Sequence, residues 1–432
     1  MRVRDRSPPL TCPNKMNNSI RHSPWLLLAG LLALGVALTA LAGVTLPLII
    51  LAIICMVMAH EFGHYITAKR SGMLVTDFFV GFGPVLWSKQ IGETRYGVRA
   101  LLLGGYVKVP GMTWRDTVDP AIESRTYRQA SFARKVIFAS AGSFMHVVMA
   151  LILVWASLLF IGQSSPSHVD ITGFALWDGH NQTAAQQAGL RAGDRIISID
   201  AQTITSPTML TNLIHASAGR ALTIRVARGS SQFNVSVTPQ DGRGLTSGGA
   251  PIATGKVPVG YLGIALGEQI VPVGVASAIP NGLHIVGSTI TAAIKAIGHV
   301  FSPSMFASLF HQVASPSAAN LIQNEQQRPQ SIVGVVRIAT QAADAGWAPL
   351  LGVLMMVNIF IGVLNMMPLL PLDGGYVAIA TYERLRSRKG RRYQFDLAKL
   401  NVLTIGFIGV LLVLFACTLY LDIAHPMVNP FK

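Results

Sequence analysis

Charge is scarce in this chain. Of its 432 residues only 12% are Asp, Glu, Lys or Arg, about half the share of an average soluble domain. The few charges are unevenly placed, and none occurs in 23–60, 136–163, 346–372 or 400–421. Each run is long enough to cross ~30 Å of hydrocarbon, which takes roughly 20 helical residues. That excludes a soluble globule and a disordered chain. It leaves an integral membrane protein with chain enough for two or three domains. Acid is scarcer than base, 19 residues against 34, for a net charge of +15. The basic excess flanks the apolar runs and comes with no nucleic-acid-binding motif, so it reads as the positive-inside pattern and implies no nucleic-acid partner. Cysteine is nearly absent. Cys12, Cys55 and Cys417 include two that sit in apolar runs, which excludes a disulfide framework.

The first apolar block, Trp25 to Ala59, is too long for one helix, and Gly43 and Pro47 supply a break. Two helices are expected, about 24–42 and 46–68, the first a retained anchor rather than a signal peptide. The expected organisation is a cytoplasmic tail (1–23), two transmembrane helices (24–68), a cytoplasmic segment (69–135), a transmembrane helix (136–162) and an extracytoplasmic domain (163–240). An extracytoplasmic linker with interfacial helices (241–345), a transmembrane segment (346–382), a basic cytoplasmic loop (383–399) and a last transmembrane helix with its tail (400–432) follow. Sidedness rests on charge: 69–135 carries eleven basic against five acidic residues, 383–399 seven against two, and 163–349 ten against eight. Residues 269–294 and 296–324 also lack charge, but Pro272, Pro280, Asn281, Gly282, Pro303 and Pro316 interrupt them. Interfacial, partly amphipathic helices are expected there.

Segment 74–112 alternates between Gly-rich turns and predicts a small antiparallel sheet, apolar enough to lie against or dip into the membrane. Residues 168–240 predict a soluble α+β domain. Its strands fall at Val169–Ile171, within Gly193–Asp200 after a turn, and at Leu222–Val226, and its helices at Ala184–Gly189 and Pro207–Ala216.

The sharpest motif is His60-Glu61-Phe62-Gly63-His64. Residues four apart share a helix face, so both imidazoles reach one ion, and Glu61 beside them can act as a general base. Three ionisable groups near the end of an apolar span are costly without a function. Catalytic zinc takes three protein ligands. The candidate third is Asp373, the one carboxylate between Ala345 and Thr381, in Asn365-Met-Met-Pro-Leu-Leu-Pro-Leu-Asp373-Gly-Gly375.

Together these residues resemble the site-2 protease family of intramembrane zinc metalloproteases, in the bacterial regulator-of-sigma-E protease form with a single PDZ. The PDZ resemblance rests on A-x-x-A-G-L-R-A-G-D-R-I-I-S-I-D, ending at Asp200. The resemblance implies a polytopic α-helical membrane protein of about five transmembrane helices, with a small membrane-associated β-sheet and an inserted α+β PDZ domain. It implies Zn2+ held by His60, His64 and Asp373, Glu61 as the catalytic base, and Asn365 as a substrate-strand or oxyanion contact. The implied substrates are single-span membrane proteins, among them anti-sigma factors. A peptide or protein C-terminus would bind the PDZ, which could instead act as a size filter or spacer. The implied location is the bacterial cytoplasmic (inner) membrane, with the active site toward the cytoplasm. One departure concerns the third span, where the family has a G-P-x-x-N-like element and this chain has Gly142-Ser-Phe-Met-His146. His146 can replace the Asn as a polar contact, support the ligands from behind, or approach the metal. His168, His180, His215, His284, His299, His311 and His425 are expected at the surface. A zinc transporter and a catalytically inactive PDZ scaffold are the competing classes. The first lacks a path of polar residues through successive helices, and the second has no need of Glu61.

Overall fold

The computed structural model describes residues 24–112, 117–175, 177–179, 182–247, 250–253, 257–315, 328–387 and 393–427. The tail 1–23 with Cys12, His180, residues 316–327 of the expected linker and 388–392 of the basic loop lie outside the described residues. The chain divides into one unit made of Met1–Val154 with Asn281–Lys432, and a second made of Trp155–Pro280.

The first unit is helical. Helix α1 (Pro24–Ala42) carries no charged residue and ends at Gly43, whose φ of +76° suits a residue without Cβ. Helix α2 (Thr45–Arg70) follows, with Pro47 in its first turn, where a missing N–H costs nothing, and Lys69 and Arg70 in its last turn, facing the negative end of the dipole. Helix α3 (Phe132–Ala156) is extended by a π turn to Ile161. Then come α6 (Val275–Val300), α7 (Pro303–Ala314), α8 (Ile332–Ala345), α9 (Trp347–Asn365), α10 (Asp373–Arg386) and α11 (Asn401–Ala424). Among the described residues, five helical stretches are long and apolar enough to cross a membrane: α2, α3 with its extension, α6, α9, and Leu397–Ala424, which contains α11. The region expected to hold interfacial helices thus contains α6, which also meets the criteria for a span, with the lowest mean hydropathy of the five, 1.2.

The expected span 346–382 is two helices. Pro368 and Pro371 cannot continue α9, and the chain turns back so tightly that a Cβ on Gly374 would overlap the Met366 and Met367 carbonyls. Ile49 and Met56 of α2 pack with Ala339 and Ala342 of α8 and with Leu350, Val353 and Leu354 of α9. Asp422, at the end of α11 and 1% exposed, lies 3.3 Å from Arg328 and accepts from the Ser331 amide at 2.7 Å, which ties α11 to the start of α8. Lys135, at the start of α3, pairs with Glu383 of α10 at 2.7 Å.

The sheet expected in 74–112 is formed by β1 (Asp77–Ile91) and β2 (Thr94–Lys108). Its register folds back on itself. Asp77–Val80 lie opposite both Arg95–Val98 and Gly105–Lys108, while Trp87–Ile91 lie opposite Thr94–Val98. Two strands in sequence therefore give four segments side by side.

The second unit is the α+β domain. Strands β3 (Gln163–Phe174), β4 (Arg195–Ile199), β5 (Gln202–Thr203), β6 (Leu222–Arg228), β7 (Ser231–Val237) and β8 (Ile264–Val271) form a sheet of order β8-β3-β4-β6-β7, with β5 beside β4. The alternation in 222–226 is real: Leu222, Ile224 and Val226 are fully buried, and Thr223 and Arg225 are exposed. Helix α5 (Pro207–His215) is capped by Ser206, which accepts from the Met209 amide, and the short α4 (Ala184–Gln187) by a Thr183–Gln186 capping box. The domain extends to Val271, beyond the expected limit at 240, because β8 pairs with β3.

Asp194 is fully buried in this domain, accepting from Arg228 at 2.6 and 2.7 Å and from the Arg191 amide at 2.8 Å. Burial pushes its carboxyl up, but the guanidinium and the amide more than offset that and hold it below the usual carboxylate range. A depressed folded-state value adds stability above the unfolded pKa of about 4, and that stability is lost as pH falls below it. Asp194→Ala is expected to cost the domain about 1–3 kcal/mol at pH 7, read by hydrogen exchange of 163–271 in the intact protein. The cost should shrink below about pH 4.

Candidate metal centre

The site is built from three helices of the first unit. α2 presents His60 and His64 one turn apart, and both are buried. Their Nε2 atoms are 3.2 Å apart. Asp373, the first residue of α10, brings Oδ2 to 3.3 Å from His60 Nε2 and 3.2 Å from His64 Nε2. That oxygen is buried and makes no hydrogen bond of normal geometry. Three lone-pair atoms so close, with the carboxylate oxygen left unpartnered, suit a cation. Zinc bonds to imidazole and carboxylate are roughly 2.0–2.2 Å long, which in a tetrahedral site puts ligand atoms about 3.3 Å apart. The three residues therefore fit zinc, and they are the group of His, Cys, Asp or Glu side chains that can hold a metal among the described residues.

α3 shapes the two imidazoles. His64 Nδ1 donates to the Phe138 carbonyl at 2.8 Å. A carbonyl only accepts, so Nδ1 carries the hydrogen and Nε2 presents its lone pair to the centre. The His60 ring lies on Gly142, where a Cβ would overlap it. At Gly63 a Cβ would come within 2.7 Å of the Ala141 carbonyl and the Met145 side chain, so α2 and α3 touch through their backbones here. Glu61, half-buried, lies under β2: a Cβ on Gly105 would be 3.0 Å from Glu61 Cγ.

The other expected residues fall as follows. His146 is 1% exposed. Its ring centroid is 5.0 Å from that of His60, and its Nδ1 is 2.5 Å from Asn358 Oδ1. It is outside the group of converging donors. Asn365 ends α9, eight residues before Asp373, and is half-buried. His284, His299 and His311 are exposed as expected; His425 and His215 are half-buried, the latter 4.9 Å from the Tyr261 ring. The side chain of His168 lies outside the described residues. Sequence reasoning missed Asn358, which is fully buried. The available signal was an amide in the middle of a charge-free span.

Comparison with known proteins agrees with this geometry. The profile of peptidase family M50 matches residues 48–412. Zinc metalloprotease Rip1 of Mycobacterium tuberculosis is 30% identical over 402 residues, covering 88% of this chain and 96% of that protein. Zinc metalloprotease Rip1 of Mycolicibacterium smegmatis is 26% identical over 421 residues, covering 90% and 98%.

Purified protein is expected to hold one zinc per chain, and Asp373→Ala to hold less than one after dialysis. Gly142→Ala, which crowds the His60 ring, is expected to weaken zinc about 10- to 100-fold. Chelator competition followed by metal analysis measures both.

Proposed function

The chain belongs to peptidase family M50 and is a multi-pass membrane zinc metalloprotease, and on that premise we propose that it cuts single-span membrane proteins within or near the bilayer. The observation that carries this reading is the convergence of Asp373 with His60 and His64, which lie beside Glu61 on α2, a helix apolar enough to span a membrane. His60, His64 and Asp373 would hold the zinc, and Glu61 would be the base. Zinc, when bound, supplies Lewis-acid polarisation and makes water a nucleophile near neutral pH. Glu61 accepts the proton that water loses on attacking the peptide carbon and returns it to the leaving amine. Asn365, at the end of α9, orients the substrate strand or its carbonyl. Helical amides are already hydrogen-bonded and shielded, so the favoured substrates have helix-breaking residues near the cut. Anti-sigma factors trimmed by another protease fit that class. The α+β domain acts as a PDZ, taking a peptide or protein C-terminus or excluding bulky substrates.

We further propose that 69–135 and 383–399 face the cytoplasm of a bacterial inner membrane. Their basic excess supports this. So does the Lys135–Glu383 pair, which sets the start of α3 beside the end of α10. A single extra crossing by α6 would part these two residues by a membrane thickness, so this reading keeps α6 at the interface.

Glu61→Gln is expected to keep its zinc and to lose about 10²–10⁴-fold in cleavage of a single-span substrate in proteoliposomes. Cleavage at the wild-type rate would remove Glu61 as the base. For topology, a cysteine placed at Ser230 in a variant lacking the native cysteines is expected to react with an impermeant maleimide in intact cells. One at Ser387 is expected to stay unlabelled, and the reverse pattern would overturn the orientation.

A further inference from the structure

Phe138, Gly142 and His146 are spaced four apart on α3, so they form one stripe along the helix. The first touches His64 through its carbonyl and the second seats the ring of His60. The third, its ring centroid 5.0 Å from that of His60, finds its hydrogen-bond partner on α9. Asn358 Nδ2 donates to the His146 carbonyl at 2.6 Å. That bond fixes the amide, leaving Oδ1 to face His146 Nδ1 at 2.5 Å. An amide oxygen only accepts, so His146 Nδ1–H is the donor. The two residues thus exchange a pair of hydrogen bonds with almost no exposure, 1% and 0%. One turn further along α9, a Cβ on Gly362 would lie 2.7 Å from His146 Cβ, so the helices are in close contact there.

α9 then leads to the metal centre through a short, constrained connection. Asn365 is its last residue, Pro368 and Pro371 occupy the break, and Gly374 and Gly375 press against the backbone of 366–370. Asp373 opens α10 directly after that break. The position of Asp373 relative to the two histidines is therefore set by how α9 registers on α3, the helix that already seats His60 and His64.

We propose that His146 and Asn358 are a positioning pair for the metal centre, fixing the register that brings Asp373 to the two histidines. The inference rests on the reading of His60, His64 and Asp373 as zinc ligands and adds two residues outside that donor group. The competing account is a buried polar contact that only packs α3 against α9.

The two accounts separate in zinc affinity and in the visible spectrum of the Co2+-substituted protein, which reports ligand geometry. The double variant His146→Leu/Asn358→Val removes both polar partners, so no buried group is left unpaired and the metal-free fold is kept. A positioning pair predicts zinc affinity lower by about 10- to 100-fold and altered Co2+ bands, with metal-free thermal unfolding near that of the wild type. His146→Asn keeps an N–H donor at the same bonded position and is expected to restore affinity to near wild type. Unchanged zinc affinity and Co2+ bands in the double variant would overturn the proposal, even if unfolding shifts. A loss in His146→Asn as large as in the double variant would also overturn it, by assigning the effect to the ring's bulk. A wild-type protein that binds no zinc would instead overturn the ligand assignment, and this inference with it.

Discussion

Two imidazole nitrogens and a carboxylate oxygen within 3.3 Å of one another are the constraint around which the first unit is organised. Three lone-pair donors do not stay together in an apolar bundle unless a cation repays their desolvation. The surrounding structure keeps them there. α2 supplies two donors by helical periodicity alone, α3 orients them with one carbonyl and one glycine, and the broken α9–α10 connection delivers the third. Each device is local, yet the donors come from positions more than 300 residues apart in the chain.

The pieces most visible in the sequence are those with a short period. Charge-free runs mark α2, α3, α9 and α11 because a bilayer excludes charge. The His60–His64 spacing marks a metal face because a helix repeats every 3.6 residues. The alternation of Leu222, Ile224 and Val226 marks a half-buried strand. Asp373 is marked in the sequence only by the family resemblance and by its isolation in an apolar run. No periodicity connects it to His60.

What was not legible depends on contacts between distant elements. Asn358 has no spacing relation to His146, and only packing of α9 on α3 brings them to 2.5 Å. The double use of Asp77–Val80 by two parts of β2 is a register property, invisible in a pattern of alternation. The end of the α+β domain is not legible because β8 follows about 26 residues after β7 and still joins its sheet. Helix α6 kept an ambiguous character because its apolarity, at a mean hydropathy of 1.2, suits either an interface or a span.

The central claim is the identity of the donor set. X-ray absorption at the zinc edge of the purified full-length protein tests it most directly, since the method counts imidazole ligands and separates oxygen from sulfur. The account predicts two imidazoles with the remaining ligands oxygen. Three or more imidazoles would bring His146 or another histidine onto the metal, and sulfur would bring one of the three cysteines. Either result would contradict a centre made of His60, His64 and Asp373.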